Sequence, residues 1–149
     1  MVDKYSMQRV AAHTFEWVKH ASPRLPDEWL PVYDFQRCET LEDVWKEYTI
    51  GLNGCLSVRQ LEEGWAARWK RNNGSRKSEH GCRRRVVELI ERLAGKPNWN
   101  YPLALRFLGD RYPISPQSEY KTVRSFTDYL QNKTSGAMDA ILTASNSYS

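Results

Sequence analysis

The 149-residue chain is predicted to be all-α, a helix-turn-helix-like three-helix core with additional N- and C-terminal helices. Three observations predict this class. Apolar residues recur at helical spacing, most clearly in Leu41-Val44-Trp45-Tyr48 and Val86-Leu89-Ile90-Leu93. Capping side chains stand directly before such stretches. No long apolar–polar alternation competes as a strand pattern. The length suits one domain with its own core. Residues 1–132 are assigned to a single helical domain with its motif core at 30–95, and 133–149, small and polar, to a flexible tail.

Val10, Thr14, Trp17, Val18 and Ala21 approximate an i, i+4, i+7, i+8 stripe, which predicts a first helix over 6–21. Pro23, Pro26 and Pro31 stop it, so residues 22–36 are expected to be extended and irregular, with Trp29, Val32, Tyr33 and Phe35 as apolar pegs. Thr40 is read as the N-cap of the next helix, with Glu42 and Asp43 favourable at its positive end. Gly51 and Gly54 mark its stop. Ser57 and Gln60 form a capping box for a helix whose buried face holds Val58, Leu61 and Trp65, extended by Trp69. Gly64 bends or ends that helix. A third helix is expected from about Gly81 to Ala94, ended by Gly95 and Pro97, with Arg84, Glu88 and Arg92 pairing along its outer face. Two more patterns follow at Pro102–Arg111 and Pro116–Gln131. Trp45, Trp65 and Trp69 stand at core spacing and are read as structural.

The charge is concentrated. Of a net +4, the stretch Trp69–Arg85, "WKRNNGSRKSEHGCRRR", carries seven Lys or Arg against Glu79 alone, a net +6, so the remaining 132 residues sum to −2. A mildly acidic chain with one strongly basic patch has the electrostatic footprint of a polyanion binder. No apolar run approaches the roughly 18 residues of a membrane span, and the opening residues lack a signal-peptide order, so no membrane contact is expected. Cys38, Cys55 and Cys82 form no C-x-x-C pair and are read as reduced, buried, small apolar residues of an intracellular protein. His80 and Cys82 have no second ligand pair nearby. Neither a metal nor another cofactor is expected. Asn73-Gly74-Ser75 and Asn132-Lys133-Thr134 match glycosylation acceptors but read as polar turns.

The unit from Thr40 to Gly95 has the size and helix count of a helix-turn-helix-type module, in which the first turns of the last helix meet base edges. That helix is expected to open with Arg83-Arg84-Arg85, preceded by Arg76, Lys77, Ser78 and His80. Three consecutive arginines fan over roughly 200°, so at least two must leave the core side. At a helix N-terminus they oppose the dipole unless an anion arrives. Arg83 or Arg84 is the candidate for a bidentate guanine contact, and Arg68, Lys70 and Arg71 are candidates for phosphate contacts. Residues 72–81 are expected to be a mobile connector that orders against DNA. The expected partner is double-stranded DNA.

"LPVYDFQRCETLEDVWKEYTIGLNGCLSVRQLEEGWAARWKRN", followed by a basic linker and "RRRVVELIERL", resembles the C-terminal DNA-binding domain of fungal transcriptional activators of glycolytic genes and their stress-response relatives. The resemblance spans roughly Leu30 to Leu93. It rests on the Tyr before a Thr-x-x-x-x-Trp helix, on "EYTIGLNG", on Ser-Val-x-x-Leu-Glu, on a Trp closely followed by basic residues, and on a paired-Arg helix. It implies a nuclear, non-enzymatic, sequence-specific binder of a short CT-rich promoter element, with Arg68–Arg71 and Arg83–Arg85 in the family's basic region. Co-activators would be met through segments outside this domain. "EGWAARW" departs from the family pattern, which has a Gly just before the second Trp.

Two other readings remain open on the residues alone. His80-Gly81-Cys82-Arg83 is an H-x-x-R of the kind used by tyrosine recombinases, with Tyr112 downstream as the possible nucleophile. The same basic patch also suits an RNA or protein adaptor.

Overall fold

The computed structural model describes residues 14–20, 24–71, 73–132 and 136–148. It opens with two short antiparallel strands, β1 (Phe15–Val18) and β2 (Glu28–Pro31). Among the described residues six α-helices follow: α1 (Leu41–Thr49), α2 (Val58–Trp65), α3 (Gly74–Ala94), α4 (Tyr101–Arg111), α5 (Val123–Gln131) and α6 (Ala137–Ser145). A 3-10 turn over Ala66–Lys70 joins α2 to α3.

The strand pair corrects the all-α expectation. Of the helix expected over 6–21, residues 6–13 and 21 lie outside the described residues, and Phe15–Val18 are β1. Cross-strand contacts outweigh helical spacing here. Phe15 anchors on Trp65 with ring centroids 5.8 Å apart, and Trp17 meets its register partner Trp29 edge-on at 5.6 Å. Trp29, expected as an inward peg, is instead 44% exposed, while Leu30 and Tyr33 are buried.

Capping residues set the helix starts where the chain was read correctly. Thr40 Oγ1 accepts from the Asp43 amide at 3.0 Å, and Ser57 with Gln60 closes a capping box on α2. Gly51 adopts φ +102°, and a Cβ there would lie 2.2 Å from the Cys55 carbonyl oxygen, so the turn after α1 requires glycine.

Three later boundaries differ from expectation. α3 begins at Gly74, not Gly81, because the Asn73 side chain accepts from the Arg76 amide at 3.0 Å and caps it. The expected mobile connector is, from Asn73 on, that cap and the first two turns of α3; Asn72 lies outside the described residues. α5 begins at Val123 rather than Pro116: Thr122 and Ser125 form its capping box, while the Ser118 hydroxyl bonds carbonyls of residues 113–120 and holds them in a turn. Within the expected tail, Ala137–Ser145 form α6, with Ile141 completely buried.

The buried residues form two apolar clusters. One gathers Leu41 and Val44 of α1, Val86, Leu89, Ile90 and Leu93 of α3, Phe107 and Leu108 of α4, Phe126 of α5 and Ile141 of α6. The other gathers Leu30, Tyr33, Leu56, Val58, Leu61, Trp65 and Trp69. Trp65 and Trp69 are core residues as read from the sequence; Trp45 is only half-buried and stacks on Tyr101 at 4.6 Å. Trp99 packs edge-on against Phe107 at 5.7 Å. No helix among the described residues is long and apolar enough to cross a membrane.

Candidate nucleic-acid interface

Arg68, just before the basic segment, and the segment's first cations turn toward carboxylates of the body. Arg68 Nε donates to Glu28 Oε2 at 2.6 Å, and His20 Nε2 lies 2.9 Å from the same oxygen. Burial pushes the Glu28 carboxyl up, but the hydrogen bonds and charges of Arg68 and His20 outweigh it and hold its pKa below the ordinary 4.5. Arg71 pairs with Glu16 of β1 and reaches the Leu30 and Pro31 carbonyls at 3.5 and 3.4 Å. Arg76 Nη2 lies 3.5 Å from Asp34 Oδ1. Lys70 Nζ is 3.7 Å from Glu62 Oε1 and 3.2 Å from His80 Nδ1. These contacts tie the hairpin and the extended segment to the helical body.

His80 is buried, stacked on Tyr48 with an interplanar angle of 7° and meeting the edge of Trp69 at 5.7 Å. An ammonium only donates, so Nδ1 accepts from Lys70 and a neutral ring carries its proton on Nε2, 3.2 Å from Glu62 Oε1. Burial first, then the Lys70 charge, holds the imidazole below its ordinary 6.5.

Arg83 lies in α3's third turn, not at a helix start, and only 6% of it is exposed. Its Nε donates to Glu47 Oε1 at 2.5 Å, Nη2 donates to the Gln36 carbonyl at 2.8 Å, and Nη1 pairs with Glu79. Glu47 is fully buried and also accepts from Tyr33 Oη at 2.6 Å and the Gln36 amide at 2.8 Å. The Phe35 ring lies 4.6 Å from the guanidinium. Burial, then the Glu47 charge, pushes the Tyr33 phenol far up. The dipole argument for three arginines at a helix N-terminus therefore falls. So does Arg83 as a solvent-facing base reader, because its donors are spent inside.

What remains outward is one face of α3. At about 100° per residue, Lys77, Ser78, Arg84 and Arg85 share an arc of roughly 120°, with Gly81 in its middle and Gly74 also within it. Arg84 and Arg85 are exposed, in line with the expectation that two of the three arginines leave the core side. Arg84 has a 3.6 Å contact to Glu88, a half-exposed pair of little energetic weight. Arg85 has no ion-pair partner among the described residues. No exposed residue from Asn73 to Arg85 is acidic. A Cβ added at Gly74 or Gly81 would meet nothing within 4 Å, so internal packing requires neither glycine. Ser78 Oγ accepts from Arg124 Nη2 of α5 at 3.0 Å.

The buried acid partners were not read from the sequence, although a signal existed. Glu47 borders the Leu41–Val44 stripe, and Arg83 stands one turn before Val86 and two before Ile90 on α3's inner face. The H-x-x-R arrangement is not assembled for strand transfer: Arg83 is held by Glu47, and Tyr112 packs against Phe107 and Phe126, its hydroxyl pushed up by burial and by Tyr129. Among the described residues no group of three His, Cys, Asp or Glu could hold a metal ion.

The profile of a family described as transcriptional activator of glycolytic enzymes matches residues 33–111. No curated protein and no solved structure gives a match. The matched span begins at Tyr33, whose hydroxyl donates to Glu47, and ends with the last residue of α4, so it contains both the buried Glu47–Arg83 network and the outward face of α3. With more than half of its length covered, this chain belongs to the family of the transcriptional activator of glycolytic enzymes.

Proposed function

We propose that this chain is a sequence-specific double-stranded-DNA-binding domain of a nuclear transcription activator, and that the first three turns of α3 lie against the duplex. One observation carries the proposal: through the first three turns of α3 the face bearing Lys77, Ser78, Arg84 and Arg85 is basic, its first exposed acid, Glu88, standing one turn beyond Arg84, and it is flattened by two glycines that internal packing does not use. A smooth cationic helix face can approach a groove closely, with arginine forks reaching base edges and lysine meeting phosphates. α1 packs against both α2 and α3, an order that suits a helix-turn-helix-like presentation of α3. Arg84 and Arg85 are the candidates for base contact and Lys77 for phosphate. Arg68, Lys70, Arg71, Arg76, His80 and Arg83 serve as the frame, each within ion-pair distance of a carboxylate of the body. A CT-rich promoter element as the site follows from the family resemblance, as does recruitment of co-activators through segments outside this domain.

Selection of bound duplexes from a random pool tests the reading. A short enriched motif is expected, bound more tightly than single-stranded DNA or RNA of the same sequence. Equal retention of all duplexes, or preference for RNA, contradicts it and favours the adaptor reading.

A further inference from the structure

We propose that Arg124 of α5 is a backbone-phosphate ligand, which makes α5 part of the DNA-binding surface although it lies beyond the family-matched residues 33–111. The inference rests on the DNA-binding reading of α3. Arg124 Nη2 donates to Ser78 Oγ at 3.0 Å and to Glu79 Oε1 at 3.1 Å. Ser78 belongs to the outward arc of α3, so the guanidinium stands at the rim of that face. Thr122, Val123 and Arg124 line a cleft of about 160 Å³ with Glu79, Cys82 and Arg83, which docks the first turn of α5 on the second and third turns of α3.

The arrangement positions the guanidinium and leaves it available. Its side chain is 47% exposed, and Nε and Nη1 have no partner among the described residues. Glu79 is anchored on its other side by Arg83, which Glu47 holds from the core. A fixed relay Glu47–Arg83–Glu79–Arg124 therefore runs from the buried network to the rim. Those four charges balance, but Lys121 stands immediately before the Thr122 cap and donates only to the Pro116 carbonyl, at 3.0 Å, leaving its charge unmatched. Asp128, one turn after Arg124, is exposed and makes no ion pair with it among the described residues. A phosphate meeting the free edge of Arg124 would find a fork already held in place, suited to bidentate contact.

The test is the salt dependence of binding by the full chain to its selected duplex, with Arg124→Ala, Arg124→Gln, Arg124→Lys and Arg85→Ala beside the native protein. Arg124→Ala is expected to weaken selected and scrambled duplexes alike, by roughly five- to tenfold near 0.1 M salt, and to make the log K–log salt slope shallower by about 0.9. Arg124→Lys retains most of the affinity. Arg124→Gln keeps a donor for Ser78 without the charge, and shows the same shallower slope even if the alanine variant folds poorly. Trimming flanking base pairs is expected to weaken the native protein and to leave Arg124→Gln unaffected. Unchanged affinity and slope in Arg124→Gln, while Arg85→Ala loses binding, overturns the role of α5 alone. If Arg85→Ala is also unchanged, the reading of α3 falls with it.

Discussion

Arg83 of α3 and Glu47 of α1 form a hydrogen-bonded ion pair at 2.5 Å in which the two residues are 6% and 0% exposed. Such a pair is stable only because Tyr33, Glu79, the Gln36 amide and the Gln36 carbonyl satisfy its remaining hydrogen-bonding groups. It locks the extended segment before α1 between the two helices. Removing one partner leaves a buried charge unpaired, so Arg83→Ala is expected to cost about 3–5 kcal/mol in denaturant unfolding. Base preference of the protein that remains folded is expected to stay the same. A variant that keeps its stability and shifts base preference would return Arg83 to the interface.

Gly81 separates packing from binding. A mid-helix glycine costs about 1 kcal/mol relative to alanine, and a Cβ at Gly81 meets nothing within 4 Å. Gly81→Ala is therefore expected to raise stability by up to about 1 kcal/mol while weakening duplex binding, since the added methyl stands on the face proposed to lie against DNA. Thermal unfolding and a gel-shift titration check the two signs. A more stable variant with unchanged affinity would place the duplex elsewhere.

Ala66 occupies φ 51°, ψ −135°, where a side chain is strained and glycine is not. This is the break between α2 and the 3-10 turn, within the "EGWAARW" stretch that departs from the family's Gly-before-Trp pattern. Ala66→Gly is expected to stabilise the fold by about 1 kcal/mol, read as a higher denaturant midpoint at unchanged slope. A destabilised Ala66→Gly contradicts the assigned backbone geometry.

His80 gives stability a pH dependence of defined sign. Its folded-state pKa lies below 6.5, because of burial and then Lys70. The unfolded chain therefore takes up this proton first as pH falls. The contribution is full above about pH 6.5 and is lost as pH drops through the folded value. Glu28 acts in a lower window, below 4.5, for the opposite charge type: its lowered carboxyl must be protonated there. Unfolding measured at pH 7.5, 6.5 and 5.5 is expected to show a falling stability that flattens in His80→Gln. An equal slope in the variant assigns the titration to another group.

Local chemistry made much of the fold legible. Thr40 and the Ser57–Gln60 box state where α1 and α2 begin, and the stripe Val86–Leu93 states which side of α3 is buried. What failed was long-range or ambiguous. Phe15–Val18 matched helical spacing, and only pairing with residues 28–31 makes it a strand. Asn73-Gly74 serves turns and N-caps equally, so the sequence alone does not distinguish a start of α3 at Gly74 from one at Gly81, where the arginines would sit at a dipole end. The basic segment was visible as a sum, but its division was not. Its cations meet Glu16, Asp34, Glu47 and Glu62, and Arg68 just before it meets Glu28, partners that no helical spacing rule connects. Arg84 and Arg85 stay outward because the same helix period that buries Arg83 turns them away.

The central claim is that the outward face of α3, not the cations around it, reads the duplex. Affinity for the selected duplex and for a scrambled one, compared between the native chain, Arg84→Ala/Arg85→Ala and Arg68→Ala/Lys70→Ala, tests it most directly. Losing Arg84 and Arg85 is expected to reduce discrimination between the duplexes by roughly 5- to 150-fold, the value of one bidentate base contact, while the Arg68/Lys70 variant keeps it. Full discrimination without Arg84 and Arg85, or its loss only in the Arg68/Lys70 variant, would contradict it.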